Sequence, residues 1–127
     1  MSTRSSITVE LAANEYKSIY CHFDGGLSYV GRILKEHYST IERANDLMDL
    51  GDLSSLGNEL APPDRAHHSY RAPFPDVTIA YGRDRMESGT EAKEYESLDQ
   101  IELLDYNYLF KDGEWFLIKD DRSLEGF

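Results

Sequence analysis

The residue types best suited to chemistry occupy six consecutive positions, Cys21-His22-Phe23-Asp24-Gly25-Gly26. A cysteine, a histidine and an aspartate this close together are typical of metal ligands or of a nucleophile with its base. The alternating residues before them predict a strand, however, on which Cys21 and His22 point to opposite faces. We therefore expect neither a metal site nor a catalytic centre. Cys21 is expected in the core, and His22 and Asp24 are available for hydrogen bonds or for a ligand.

A second candidate site is the basic sequence Gly82-Arg83-Asp84-Arg85. On an extended strand Arg83 and Arg85 would share a side, where they could bind a phosphate or a carboxylate with paired hydrogen bonds. Aromatic side chains could stack on a base nearby, and Arg4, Arg65 and Arg71 could join the site. The predicted ligand-binding residues are Arg83, Arg85, Tyr81, Tyr20, His22 and Asp24. The alternative is ordinary surface ion pairing of the two arginines with Asp84 and Glu87, which stabilises little.

The charge of the chain is strongly and unevenly negative. Thirteen Lys and Arg against 24 Asp and Glu give a formal charge of −11, and residues 87–127 hold twelve acidic and four basic residues. This charge repels phosphate backbones and anionic membranes, so we expect no direct nucleic-acid binding. An acidic region can bind a basic partner, or it can be a solvated, solubilising surface. The predicted partner-binding residues are Glu87, Glu91, Glu94, Glu96, Asp99 and Glu102.

Length and composition predict one domain over residues 1–127, since 127 residues with 40% apolar composition suffice for a single core. No run of about 18–20 apolar residues predicts a membrane span, and the first residues lack the pattern of a signal peptide. The single cysteine excludes an internal disulfide and fits a reducing cytosol. We expect no cofactor.

Local patterns predict the elements that position these residues. Residues 6–11 and 16–23 alternate and predict an N-terminal hairpin. Apolar stripes after Gly25-Gly26 predict two helices, one after Ser28 and one capped by Ser39-Thr40 and ended by Gly51. Three leucines spaced by three, Leu50, Leu53 and Leu56, predict a tight turn beneath the core.

The second half of the chain is less regular. Residues 58–75, rich in proline, fit no periodic pattern and predict a loop, followed by a strand at 76–81. Residues 82–96 are expected to be a loop or a frayed strand extension. Ser97 opens a capping box and predicts a short helix to about Leu104. Asp112-Gly113 between aromatic-rich segments predicts a last hairpin.

The resulting order, β-β-α-α-β-(α)-β-β, predicts an α+β fold in which a helix pair packs on one face of an antiparallel sheet. The chain has nine tyrosines, and some of them must lie on the other face. Tyrosine-rich faces are typical of binding surfaces, because tyrosine offers apolar area together with a hydroxyl. A second copy of the chain could also cover this face, and we expect a homodimer.

Five segments of the chain each match a short sequence element of one protein family: 2–7, 20–25, 31–38, 50–56 and 81–85. They resemble a family of small, mostly uncharacterised bacteriophage and prophage proteins with the elements S-T-R-S-x-I, Y-C-H-W-D-G, G-x-x-L-x-x-H-Y, L-G-D-x-S-S-L and Y-x-R-D-R. Phe23 stands where the family has tryptophan. The five segments together make up about a quarter of the chain. It implies a viral origin and action in the host bacterial cytoplasm, and it carries no catalytic residue.

Two functions are compatible with these features. The first is a non-enzymatic phage accessory protein that binds and inhibits a host defence component, as an acidic nucleic-acid mimic like some anti-CRISPR proteins. The second is a small-molecule-binding protein that sequesters a nucleotide immune signal in an Arg/Tyr pocket. A hydrolase using His22 and Asp24 ranks below both. We expect the first, because the acidic excess is a property of the sequence itself.

Overall fold

The computed structural model describes residues 2–127, and its sheet begins with the predicted N-terminal hairpin. Strand β1 (Ser5–Ala12) pairs antiparallel with β2 (Glu15–Cys21). Asn14 in the turn has a φ of 59°, a left-handed conformation that asparagine tolerates better than most residues. The apolar members of the alternation, Ile7, Val9 and Ile19, are buried. The hairpin prediction is confirmed.

A second hairpin lies near the other end of the chain, where the Asp-Gly pair predicted it. Strand β6 (Tyr106–Lys111) pairs antiparallel with β7 (Glu114–Ile118), which pairs with β8 (Leu124–Gly126). Asp112 and Gly113 have φ values of 52° and 80°. Two left-handed residues in succession match the right-handed twist of the flanking strands.

The strands form one mainly antiparallel sheet in the order β4-β3-β2-β1-β6-β7-β8. Here β3 is Leu53–Ser55 and β4 is Ile79–Ala80, while β5 (Lys93–Tyr95) pairs with β2 outside this path. Two pairs, β1 with β6 and β2 with β3, are parallel. A parallel neighbour requires a long crossover connection, which the helical segment 22–52 supplies between β2 and β3. The α+β class is confirmed, and the parallel pairs add to it.

Helices cover one face of the sheet. A π-helix (Leu27–Gly31) leads into α1 (Arg32–His37), and α2 (Ile41–Leu50) follows. The Thr40 hydroxyl caps α2 by accepting a hydrogen bond from the Arg43 N–H at 3.2 Å. The buried helical residues lie in the predicted stripes: Val30, Ile33, Leu34, Ala44, Leu47 and Met48. None of the helices within residues 2–127 combines the length and the apolar composition needed to cross a membrane.

Four short segments differ from the prediction. Leu53 starts a strand instead of lying in a tight turn, and the strand expected at 76–81 shortens to β4 because Tyr81 begins a helix, α3 (Tyr81–Arg85). Residues 82–96 contain the end of α3 and all of β5. The Ser97 capping box is present, but it opens only a 3-10 turn (Leu98–Gln100). Ile101 leaves that turn in an extended conformation and is buried, which ends the helix early.

The other face of the sheet, here called the second face, buries polar side chains. Ser6 donates a hydrogen bond to Asn107 Oδ1 at 2.8 Å, and Thr8 donates one to Ser18 Oγ at 2.8 Å. All four of these side chains are buried. A small apolar cluster lies beside them: Ile101, Leu109 and Ile118. These four buried side chains are therefore paired with one another, as most buried polar groups are.

Candidate functional site

Arg83 and Arg85 lie on α3, so the strand geometry predicted for them is wrong. Successive residues of an α-helix are rotated by about 100° about its axis, which puts positions i and i+2 on nearly opposite sides. The alternation of residues 76–81 favoured a strand, but β4 ends at Ala80 and the chain turns directly into α3. The two arginines therefore have different surroundings.

All three nitrogen groups of the Arg83 guanidinium donate hydrogen bonds within the protein. Nε contacts the carboxylate of Asp84 at 2.8 Å, and one terminal nitrogen contacts the Thr78 carbonyl at 2.8 Å. The other terminal nitrogen donates to the carbonyl of Leu60, in the proline-rich segment. A phosphate at Arg83 would have to compete with these bonds, which hold the segment 58–75 against α3.

Asp84 is the centre of this buried network. Its side chain and that of His68 are each 3% exposed, with Oδ2 and Nε2 3.3 Å apart. Burial alone would raise the pKa of Asp84, but hydrogen bonds from Arg83 and from the Ala80 N–H outweigh it and lower that pKa. His68 Nδ1 accepts the Phe74 N–H at 2.8 Å. The network has a structural role, since it orders the predicted loop.

Arg85 lies at the surface. Its guanidinium carbon is 4.6 Å from the centroid of the Tyr70 ring, and its Nε is 3.2 Å from the carboxylate of Glu87. Both charged side chains of that ion pair are about half exposed. The structure does not bring Arg85 together with Arg83 in one clamp. Their role in ligand binding stays a prediction.

Tyr20 and His22 share a face, and their side chains are in contact. The distance from Tyr20 Oη to His22 Nδ1 is 2.6 Å, and Ser2 Oγ lies 3.3 Å from His22 Nε2. Asp24 is exposed, with a φ of 56°, and its carbonyl accepts the Val30 N–H. Tyr20 and Ser2 thus orient His22, whereas Asp24 shapes the turn into the π-helix.

Cys21 is a core residue, as expected. Its thiol is buried, and burial raises its pKa to about 12. A thiol with such a pKa is protonated at neutral pH and is a weak nucleophile. Within residues 2–127, no group of three His, Cys, Asp or Glu side chains is arranged to hold a metal ion.

Asp52, which is not among the predicted site residues, connects two of the predicted ligand-binding tyrosines. Its Oδ1 accepts the Tyr20 N–H at 3.0 Å, and its backbone carbonyl accepts the Tyr81 N–H at 3.1 Å. Burial raises the pKa of Asp52 and also the pKa values of the Tyr20 and Tyr81 phenols. Asp52 is the aspartate of the L-G-D-x-S-S-L element, but the resemblance assigns that element no role, so only the fold connects Asp52 with Tyr20 and Tyr81.

Tyr20 and Glu102 both line a cavity of about 330 Å³ on the second face, here called the sheet cavity. Arg4, Lys93 and Tyr95 also line it. The sequence predicts Arg4 only as an addition to the arginine site, and it assigns no role to Lys93 or Tyr95. Their one signal was the alternation along 93–95, which turns residues 93 and 95 to the same face of a strand.

The six predicted partner-binding carboxylates are all exposed. They lie between the end of α3 and the segment that follows the 3-10 turn, and two of them flank or belong to β5. We call them the acidic strip: Glu87, Glu91, Glu94, Glu96, Asp99 and Glu102. Glu87 is the only one that forms an ion pair within the described residues, and its partner is Arg85. The other five charges are free to face a partner.

Comparison with known proteins finds no family model, no curated protein and no solved structure that matches the chain. What the protein does must therefore be inferred from its own residues.

Proposed function

We propose that the protein is a non-enzymatic phage accessory protein that binds and inhibits a host defence component in the host bacterial cytoplasm. The observation that carries this proposal is the acidic strip, whose six carboxylates are all exposed. The partner would be a host protein with a basic surface, such as the groove of a nuclease or a CRISPR effector that normally binds DNA or RNA.

The electrostatics of the acidic strip support this mode of binding. Five of its carboxylates form no ion pair within residues 2–127, so a partner's Lys or Arg side chains would not have to displace internal cations. Complementary charge accelerates association and disfavours wrong partners. Because these charges are exposed, added salt should weaken the complex.

The state of the potential catalytic groups supports binding over catalysis. The Cys21 thiol is buried and protonated, and the His22 ring is held between Tyr20 and Ser2. The predicted homodimer is part of the proposal. Phe23, Leu27 and Tyr29, at the turn out of β2 and in the π-helix, are 42%, 40% and 37% exposed, and a second copy that covered them would remove this apolar surface from water.

The test compares two variants with the same change in net charge. The strip variant carries Glu91→Lys, Glu94→Lys, Glu96→Lys and Asp99→Lys. The control variant carries Glu42→Lys, Asp46→Lys, Asp49→Lys and Asp120→Lys, four positions that are also exposed. Wild type and control should capture the same protein from lysate of a host bacterium, and duplex DNA or RNA should compete with that capture. The strip variant should lose it.

Circular dichroism establishes that both variants fold. Capture by the strip variant at wild-type strength would refute the acidic strip as the binding surface. Equal loss in both variants would mean that net charge, and not this surface, determines binding. If nucleic acid does not compete with the capture, the proposed nucleic-acid mimicry is refuted.

The alternative function, sequestration of a nucleotide signal through Arg83 and Arg85, has less support. Arg83 already donates to Asp84 and to two carbonyls, and Arg85 pairs with Glu87.

A further inference from the structure

The sheet cavity has the form of a small-molecule site. Its volume of about 330 Å³ is within the range of ligand pockets, which occupy about 300–1,000 Å³. The hydroxyl-bearing residues Ser6 and Ser18 line it, and so do the apolar residues Ile101 and Leu104. The cavity therefore combines polar and apolar lining, as ligand pockets do.

Two cations reach the cavity from different sides. Lys93 pairs with Ser18 at the β5 edge of β2, whereas Arg4 precedes β1 on the other edge of β2. Both residues are exposed, and neither forms an ion pair within residues 2–127. Asp52 and Glu102 line the cavity as well, so the two cations balance its two carboxylates, and the cavity carries none of the net charge of −11 that repels anions elsewhere on the chain.

Aromatic and acceptor groups complete the site. The side chains of Tyr20 and Tyr95 both line the cavity. Asp52 lines it as well, and the Tyr20 N–H is the one hydrogen-bond donor to its carboxylate among the described residues. The remaining acceptor capacity of this carboxylate suits an N–H donor on a ligand.

We propose that the sheet cavity binds a small aromatic anion of the nucleoside monophosphate class. The Arg4 guanidinium, assisted by Lys93, holds the phosphate. The rings of Tyr20 and Tyr95 pack against the base, as aromatic side chains do against bases in general. The Asp52 carboxylate accepts a hydrogen bond from a base N–H. This site is separate from the acidic strip except at Glu102, and it does not depend on the proposed inhibition.

Each residue of the proposed site contacts a different part of the ligand, so single substitutions should have different effects. Loss of a charge-assisted hydrogen bond to phosphate weakens binding by about tenfold or more. Arg4→Ala should therefore weaken nucleotide binding by that factor and leave the binding of the matching nucleoside, which has no phosphate, almost unchanged. Asp52→Asn should weaken both ligands, because it removes a carboxylate that contacts the base.

Isothermal titration calorimetry tests this with the four common nucleoside 5′-monophosphates, their nucleosides and inorganic phosphate. At least one monophosphate should bind the wild type, at least tenfold more tightly than phosphate. Lys119→Ala is the matched control, since Lys119 is an exposed cation near β8, and it should bind like the wild type. Thermal unfolding checks that each variant folds.

Three results would overturn the proposal. The first is no binding of any monophosphate at millimolar concentration. The second is binding no tighter than that of inorganic phosphate, which would mean a simple anion contact. The third is monophosphate binding that survives Arg4→Ala unchanged, in particular if Arg85→Ala weakens it, because the ligand would then occupy the arginine site predicted from the sequence.

Discussion

The two faces of the sheet differ in how their side chains are buried. The face under the helices is apolar, and even its large polar side chains are internally satisfied: Tyr38 and Tyr108 are fully buried and donate to the carbonyls of Gly57 and Gly25 at 2.7 Å. The second face buries hydroxyl and amide side chains in pairs, and the sheet cavity opens beside them.

The difference indicates where the protein gains its stability and where it can bind. Apolar burial contributes about 25 cal/mol per Å², whereas a buried hydrogen-bonded pair contributes only about 1 kcal/mol net. A polar second face is therefore a weaker source of stability than an apolar face would be. Its advantage is a concave surface with polar groups at fixed positions, which is what a ligand requires.

The largest expected effect tests the helix-covered face. Leu47 on α2 is fully buried, so Leu47→Ala should lower the free energy of unfolding by about 2–5 kcal/mol through lost contacts and the remaining cavity. Urea denaturation measures the change. Ile41→Ala on the same helix is the control, because Ile41 is 45% exposed, and it should cost less than about 1 kcal/mol. Similar costs at the two positions would contradict the assignment of this face as the main core.

A smaller effect is expected on the second face. Thr8→Val keeps the shape of the side chain but removes the donor to Ser18 Oγ, so it should cost about 1–2 kcal/mol. The double variant Thr8→Val with Ser18→Ala removes both partners and should recover part of that loss. A double-mutant cycle of unfolding free energies gives the coupling directly. Purely additive costs would mean that the two hydroxyls do not depend on each other.

The sequence predicted what depends on local order. Apolar periodicity found α1 and α2, and the Asp112-Gly113 pair found the β6–β7 hairpin, because both signals lie within the element itself. The pairing of β1 with β6 joins residues about 100 positions apart, and no local pattern encodes it. The strand β5 is three residues long, too short for periodicity to identify with certainty, so it fell within a segment predicted as a loop or a frayed strand.

The candidate sites were also predictable only where they depend on local sequence. The exposure of the acidic strip was predictable, because charged residues at that density cannot be buried. The sheet cavity was not, since it exists only when β5 pairs with β2 and brings Lys93 towards Arg4. The paired geometry predicted for Arg83 and Arg85 was wrong because the chain turns into α3 directly after β4, and the network around Asp84 draws Arg83 into the packing of the loop.

The smallest predicted effect concerns Asp52. This residue lines the sheet cavity, and its ionisation also affects the free energy of unfolding. Burial raises its pKa in the folded protein, so its contribution to stability is fully present below the unfolded value of about 3.9 and is lost as the pH rises through the folded value. At neutral pH the ionised carboxylate is therefore a small cost. Asp52→Asn removes that charge and keeps an oxygen that can accept the Tyr20 N–H.

We expect Asp52→Asn to be more stable than the wild type at pH 7, because the variant no longer has to ionise a partly buried carboxylate whose pKa burial raises. The gain should shrink to nothing when unfolding is measured at pH values below about 3.9. A variant less stable than the wild type at neutral pH would show that the carboxylate stabilises the fold. A more stable variant that also loses its nucleotide affinity would instead mean that Asp52 is retained for the ligand at the expense of stability, as functional residues often are.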